Sequence, residues 1–190
     1  MALLPKSTRK KWFDYLGLGE YNKVNILKFQ KMAFSNTHEH DAVYGKNTDI
    51  ALRHWHHVKL YTNSKNFRPE EFKCTCGKCT GYPTWMRVNE LKHIQTIRTH
   101  YGRPMEITSA LRCPYGNSKV GGVPNSAHLS GKAVDFYIAG VTDTLEHRRS
   151  AINYIKRLKN HDYSYGDGIT STGAYKEVPQ MGNAIHTQVR

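Results

Sequence analysis

Asn125–Phe136, NSAHLSGKAVDF, sets a histidine and a carboxylate seven positions apart around a glycine turn, and its reading decides where the central strand begins. Upstream, GGVPNS (Gly121–Ser126) is turn chemistry, whereas Lys132–Ile138 carries Ala, Val, Phe, Tyr and Ile and reads as a buried strand. Asp135 is the polar residue in the middle of that strand. A buried carboxylate is costly unless a cation or hydrogen bonds compensate it. A metal would do so, with His128 delivered from the loop by the Ser130-Gly131 turn and Asp135 from the strand. Spacing alone leaves a second reading open: a structural Asp beside a surface His.

Further elements surround this stretch. PMEITSAL gives an apolar strand over Met105–Leu111, and Ala184–Val189 alternates well enough to be another, with His186 on one of its faces. Trp85–Tyr101 repeats apolar residues at Val88, Leu91, Ile94 and Ile97 and stops at Gly102, which predicts a helix. Asp143 with Glu146 predicts the start of a second helix, running through Ile152, Ile155 and Leu158. The expected fold is α+β, a small antiparallel sheet with flanking helices over residues 67–190.

A third donor beside His128 and Asp135 would complete a three-ligand site; His186 is one candidate, and a C-terminal surface residue is the other reading of it. A catalytic zinc has three protein ligands and an open fourth position, where it acidifies water to a pKa of about 7. Arg112 adds a permanently charged fork suited to a carboxylate.

The run Ile107–Asp135 resembles the zinc D-alanyl-D-alanine carboxypeptidase and endopeptidase family, which cleaves bacterial cell-wall peptides. Its S-x-H-x-x-G-x-A-x-D signature is filled by Ser126, His128, Gly131, Ala133 and Asp135, and its S-x-x-R-C-P segment by Ser109–Pro114. The resemblance implies zinc on His128, Asp135 and a C-terminal histidine, here His186, with Arg112 gripping a substrate carboxylate and Ser126 assisting. It implies hydrolysis of an amide in peptidoglycan stem peptides, with peptidoglycan as partner. The chain departs from the family near the last histidine: Gln188 and Asn183 stand where related sequences carry a carboxylate. Neither amide accepts a proton from water as a base. Gln188 is retained as a substrate contact, and Glu177, ahead of Asp167, is the expected proton acceptor. A zinc-containing wall-binding protein with impaired catalysis is the alternative.

The first sixty residues read as a separate helical unit, 1–60, joined by a polar linker, 61–66. Ile26, Leu27, Phe29 and Met32 form an apolar helical stripe, and Asn47 or Thr48 caps a second helix through Ala51, Leu52 and Trp55. The pair Phe29-Gln30 followed by Asp41-x-x-Tyr44-Gly45-x-x-Thr48 resembles the small three-helix peptidoglycan-binding domain, with Ala42 where that domain usually has Gly. His38, His40, His54, His56 and His57 crowd this unit, and surface positions are expected for them, because adjacent helical residues diverge by about 100°. Cys74, Cys76 and Cys79, with Cys113 as a fourth, either hold a structural metal or are reduced thiols.

A formal charge of +13 suits an anionic partner, with a basic solvated surface that aids solubility as the other reading. The charge is spread out apart from Lys6–Lys11, and no nucleic-acid motif accompanies it, so anionic wall polymers are preferred to specific nucleic acid. No stretch approaches the roughly 20 apolar residues that span a membrane. MALLPKSTRKKWF lacks the order of a secretory signal. A monomer made in the cytoplasm and released to the wall by other means is expected, as for a phage endolysin or a virion-carried enzyme.

Overall fold

In the computed structural model, which describes residues 1–63 and 65–190, the central strand runs from Ala133 to Tyr137 (β2). It pairs antiparallel with Glu106–Ser109 (β1) on one side and Ile185–Val189 (β5) on the other. Two further strands, His161–Gly166 (β3) and Ile169–Thr170 (β4), complete a five-stranded antiparallel sheet of order β1-β2-β5-β3-β4. The apolar pattern did not foresee β3. The reason is local: its fully buried positions are Ser164 and Gly166, too small to give a hydrophobic signal.

Register makes the functional face. Residues directly opposite in an antiparallel pair share a side of the sheet. Ser109 faces Asp135, Asp135 faces His186 and His186 faces Tyr165, which forms one row across four strands. Two residues along, Ala133, Gln188 and Tyr163 form the next row on the same side. The alternate positions, Val134, Phe136, Ile185 and Thr187, are buried on the opposite side. Helices Val88–Tyr101 (α4) and Leu145–Ile155 (α6) pack there.

Both helices start later than the sequence predicts. Gly131, at φ 68°, accepts the Arg87 N–H, and a Cβ at this glycine would lie 2.0 Å from the Trp85 carbonyl oxygen. That close approach holds the chain before Val88 extended, so Trp85 lies outside α4. For α6 the cap is Thr144, which accepts from His147 N, while Asp143 accepts from Tyr137 Oη and Gly140 N.

Three helices, Lys6–Tyr15 (α1), Lys23–Ala33 (α2) and Lys46–Tyr61 (α3), build the N-terminal part. The basic run Lys6–Lys11 thus lies on a helix, which buries Phe13. Gly45, rather than Asn47 or Thr48, caps α3, and the helix extends into the expected linker as far as Tyr61. Ser64 of that linker lies outside the described residues. Gln30 holds the intervening loop: its Nε2 donates to Asp41 Oδ1 (2.8 Å) and the Val43 carbonyl (2.9 Å), and its Oε1 accepts from Ala42 N (2.8 Å). Ala42 has φ 61°, the left-handed conformation that glycine adopts more easily. The Phe-Gln and Asp-x-x-Tyr-Gly residues therefore have a fold-holding role here.

The hydrophobic core is continuous from Phe13, Phe29 and Trp55 through Ile94 to Phe136 and Ile185. Trp55 Nε1 donates to Tyr82 Oη at 2.6 Å, both residues being buried. His54, expected at the surface, is also buried, against Tyr82 and Trp85, and its pKa is pushed down to about 3 by burial, helped by His57. No helix among the described residues is long and apolar enough to cross a membrane.

Candidate metal centre and its cleft

His128 sits on a single 3-10 turn, Ala127–Ser130, which ends at the left-handed Gly131. That turn brings its ring above the row formed by Asp135 and His186. Asp135 Oδ1 lies 3.2 Å from His128 Nε2 and 2.7 Å from His186 Nδ1, and the two nitrogens are 3.2 Å apart. All three residues are buried. Donor atoms around a tetrahedral zinc, with bonds of about 2.0–2.1 Å, stand roughly 3.3 Å apart. The three donors fit such an ion, with one edge shorter.

Outer partners fix which nitrogen faces inward. His128 Nδ1 donates to the Ala110 carbonyl at 2.6 Å, because that oxygen can only accept, and this leaves the Nε2 lone pair for the centre. Gln188 does the same for His186. Its Nε2 donates to Asp162 Oδ2 (2.7 Å), which turns Oε1 towards His186 Nε2 (3.1 Å) and leaves Nδ1 for the centre. Gln188, expected as a substrate contact, is thus engaged with His186. Tyr165 stacks on the same imidazole, with ring centroids 4.6 Å apart.

Arg112 is likewise committed inward. Its Nη2 donates to Asp135 Oδ2 at 2.6 Å and its Nε to Ser109 Oγ at 2.9 Å, so Asp135 presents Oδ1 to the two histidines. Among the described residues Nη1 has no protein partner. Burial disfavours the Asp135 carboxylate, but the charge and hydrogen bonds of His128 and His186 outweigh it and hold its pKa well below the ordinary range. Burial lowers the pKa of His128, against the pull of Asp135, and so favours the neutral imidazole that a metal requires.

The cluster opens into a cleft of about 1040 Å³, lined among others by Arg112, Ser126, Tyr163, Tyr165 and Lys176. The structure does not bring Glu177 there. Its neighbours Lys176 and Val178 line the cleft, but Glu177 itself is exposed and is not part of the wall. Asp167 is tied to Val178 N, and Asn183 accepts from Arg148. Among the described residues, the carboxylates on the wall are Asp135, Glu70 and Glu71. Burial raises the Glu71 carboxyl, while the Arg68 N–H it accepts works against this. Tyr163, Tyr165 and Lys176 were missed in the sequence, although the spacing of two between the tyrosines is a strand signal.

Two histidines and a carboxylate joined in a polarised cluster at the floor of an open cleft define a metallohydrolase type of centre. The model of the family peptidase M15 matches residues 65–160, just over half of the chain, and the chain belongs to this family of zinc-dependent metallopeptidases. His128 and Asp135 fall within the matched segment, whereas His186 lies beyond it. No curated protein and no solved structure matches the chain.

Proposed function

We propose that this protein hydrolyses an amide bond in peptidoglycan stem peptides, with zinc on His128, Asp135 and His186. The observation that carries this reading is the convergence of the three donor atoms at the base of a cleft that also contains Arg112. The family's association with peptidoglycan-type substrates supports the choice of substrate. When bound, zinc would supply a Lewis acid that polarises the scissile carbonyl and acidifies a water. Ala110 and Gln188 hold the two imidazoles in the ligating tautomer, and Arg112 holds Asp135 while its Nη1 receives a substrate carboxylate. Tyr165, its pKa raised to about 12 mainly by burial, is a neutral phenol and a hydrogen-bond donor at the cleft.

The same reading makes residues 1–60 a wall-binding module and residues 67–190 the peptidase, acting as an endolysin. The +13 charge suits anionic wall polymers. One observation favours the rival, a protein that binds the wall without cutting it: neither Glu177 nor Asp167 reaches the cleft. Purified protein incubated with peptidoglycan, with and without chelator, distinguishes the two. Chelator-sensitive release of new amines, restored by zinc and located by mass spectrometry of the muropeptides, is expected. Wall binding without any such release would establish the rival.

A further inference from the structure

A second donor cluster stands apart from the histidine centre. Cys74, Cys76 and Cys79 lie on the loop after Phe72, and Cys113 directly follows Arg112. All four thiols are free, and their sulfurs lie within 4.8 Å of one another. Cys76 Sγ is 3.5 Å from Cys79 Sγ and 3.6 Å from Cys113 Sγ. Four sulfurs bound tetrahedrally at about 2.3 Å would stand roughly 3.8 Å apart, so the set is sized for a single ion.

The backbone around the sulfurs is arranged for thiolates. Each Sγ accepts one amide N–H: Cys74 from Cys113 (3.4 Å), Cys76 from Lys78 (3.4 Å), Cys79 from Gly81 (3.4 Å) and Cys113 from Gly116 (3.2 Å). Such bonds stabilise the anionic sulfur that ligates metal, and they orient it. Gly116 closes over the cluster: a Cβ there would lie 3.0 Å from Cys74 Sγ and 3.1 Å from the Cys76 Cβ. The loop is also closed on itself, Cys74 N donating to the Gly81 carbonyl at 2.7 Å.

We propose that Cys74, Cys76, Cys79 and Cys113 bind one structural zinc, which clamps the Cys74–Gly81 loop to the segment carrying Arg112. Four protein donors leave no open position, so the ion serves the fold. Cys74, Cys76 and Gly116 also line the cleft, so the clamp sets the wall beside Arg112. The assignment is independent of whether the cleft hydrolyses anything.

The test is metal analysis of the full chain, combined with cobalt substitution and thiol counting. Two zinc equivalents are expected in the unmodified protein. His128→Ala/His186→Ala should keep one, and after cobalt exchange it should show thiolate-to-cobalt charge-transfer bands. Cys76→Ser/Cys79→Ser should lose those bands. In the unmodified protein the four thiols should react slowly with a thiol reagent until a chelator is added, a result that stands even if the serine variant does not fold. Fast-reacting thiols and cobalt spectra without thiolate bands in the unmodified protein would overturn the proposal, as would paired sulfurs in the intact mass or iron in place of zinc.

Discussion

The two donor clusters share one cleft and differ in almost every other respect. The histidine centre draws Asp135 and His186 from paired strands and is oriented by side chains and one carbonyl, namely Gln188, Arg112 and the Ala110 oxygen. The thiol cluster is carried on loops and oriented by backbone amides. Three donors with a cleft above them would leave a bound metal one open position, whereas four mutually close sulfurs would leave none. Backbone amides can orient sulfurs on almost any loop with suitable turns. Aligning two imidazoles and a carboxylate takes a sheet register, because a one-residue slip would turn Asp135 to the opposite face.

The largest expected effect separates the clusters outright. His186→Ala should bring hydrolysis to background and remove one metal equivalent, with thermal stability changed little. Cys79→Ser should do the reverse in kind, lowering thermal stability strongly because binding energy at a four-ligand site is folding energy. Melting curves and metal content of both variants, with and without chelator, check this. Equal loss of stability in the two would break the distinction.

The sequence was informative where chemistry and periodicity coincide. His128 and Asp135 are legible because Gly131 and the strand that follows fix their relation within ten residues, and the fold class follows from the same strand. His186 needed the resemblance, and its partner Asp162 was invisible, being joined to it through Gln188 across two strands. Glu177 was chosen for proximity in sequence to His186, but it is exposed and is not part of the cleft wall. Ser164 and Gly166 hid β3, and with it Tyr163 and Tyr165, because small core-facing residues carry no hydrophobic signal. Cys113 was visible as a cysteine, but only folding shows that it meets the other three.

Next in size is the outer partner of His186. Gln188→Leu removes the acceptor for Nε2–H and frees the ring to change tautomer, so zinc affinity at the histidine centre should fall by about ten- to a hundredfold. Competition with a chelating dye measures this, and the thiol cluster should keep its metal. The matching perturbation of the other cluster is Gly116→Ala, whose Cβ would lie 3.0 Å from Cys74 Sγ. Overpacking of this kind typically costs about 1–3 kcal/mol. It should speed zinc loss from the thiols and leave the histidine centre loaded.

The last effect concerns an ionisable group near only one of the clusters. Glu90, fully buried on the first turn of α4, has no hydrogen-bond partner for either carboxyl oxygen among the described residues. Burial, with the nearby Asp135 charge, raises its pKa well above 4.5, so folding favours its neutral form. An unfolded chain ionises this group above about pH 4.5, and the folded one only at higher pH. Its contribution to stability is therefore complete at acid pH and declines as pH rises towards the folded pKa, by up to about 1.4 kcal/mol per pH unit. Glu90→Gln removes that dependence. In chelated protein, where no metal contributes, the variant should unfold at higher urea than the parent at pH 7, and the gap should close as pH falls to about 4.5. A gap of opposite sign at pH 7 would mean that the carboxylate is ionised and paired in the fold. Its repulsion with Asp135 would then have to be balanced within the histidine centre, a demand the thiol cluster does not share.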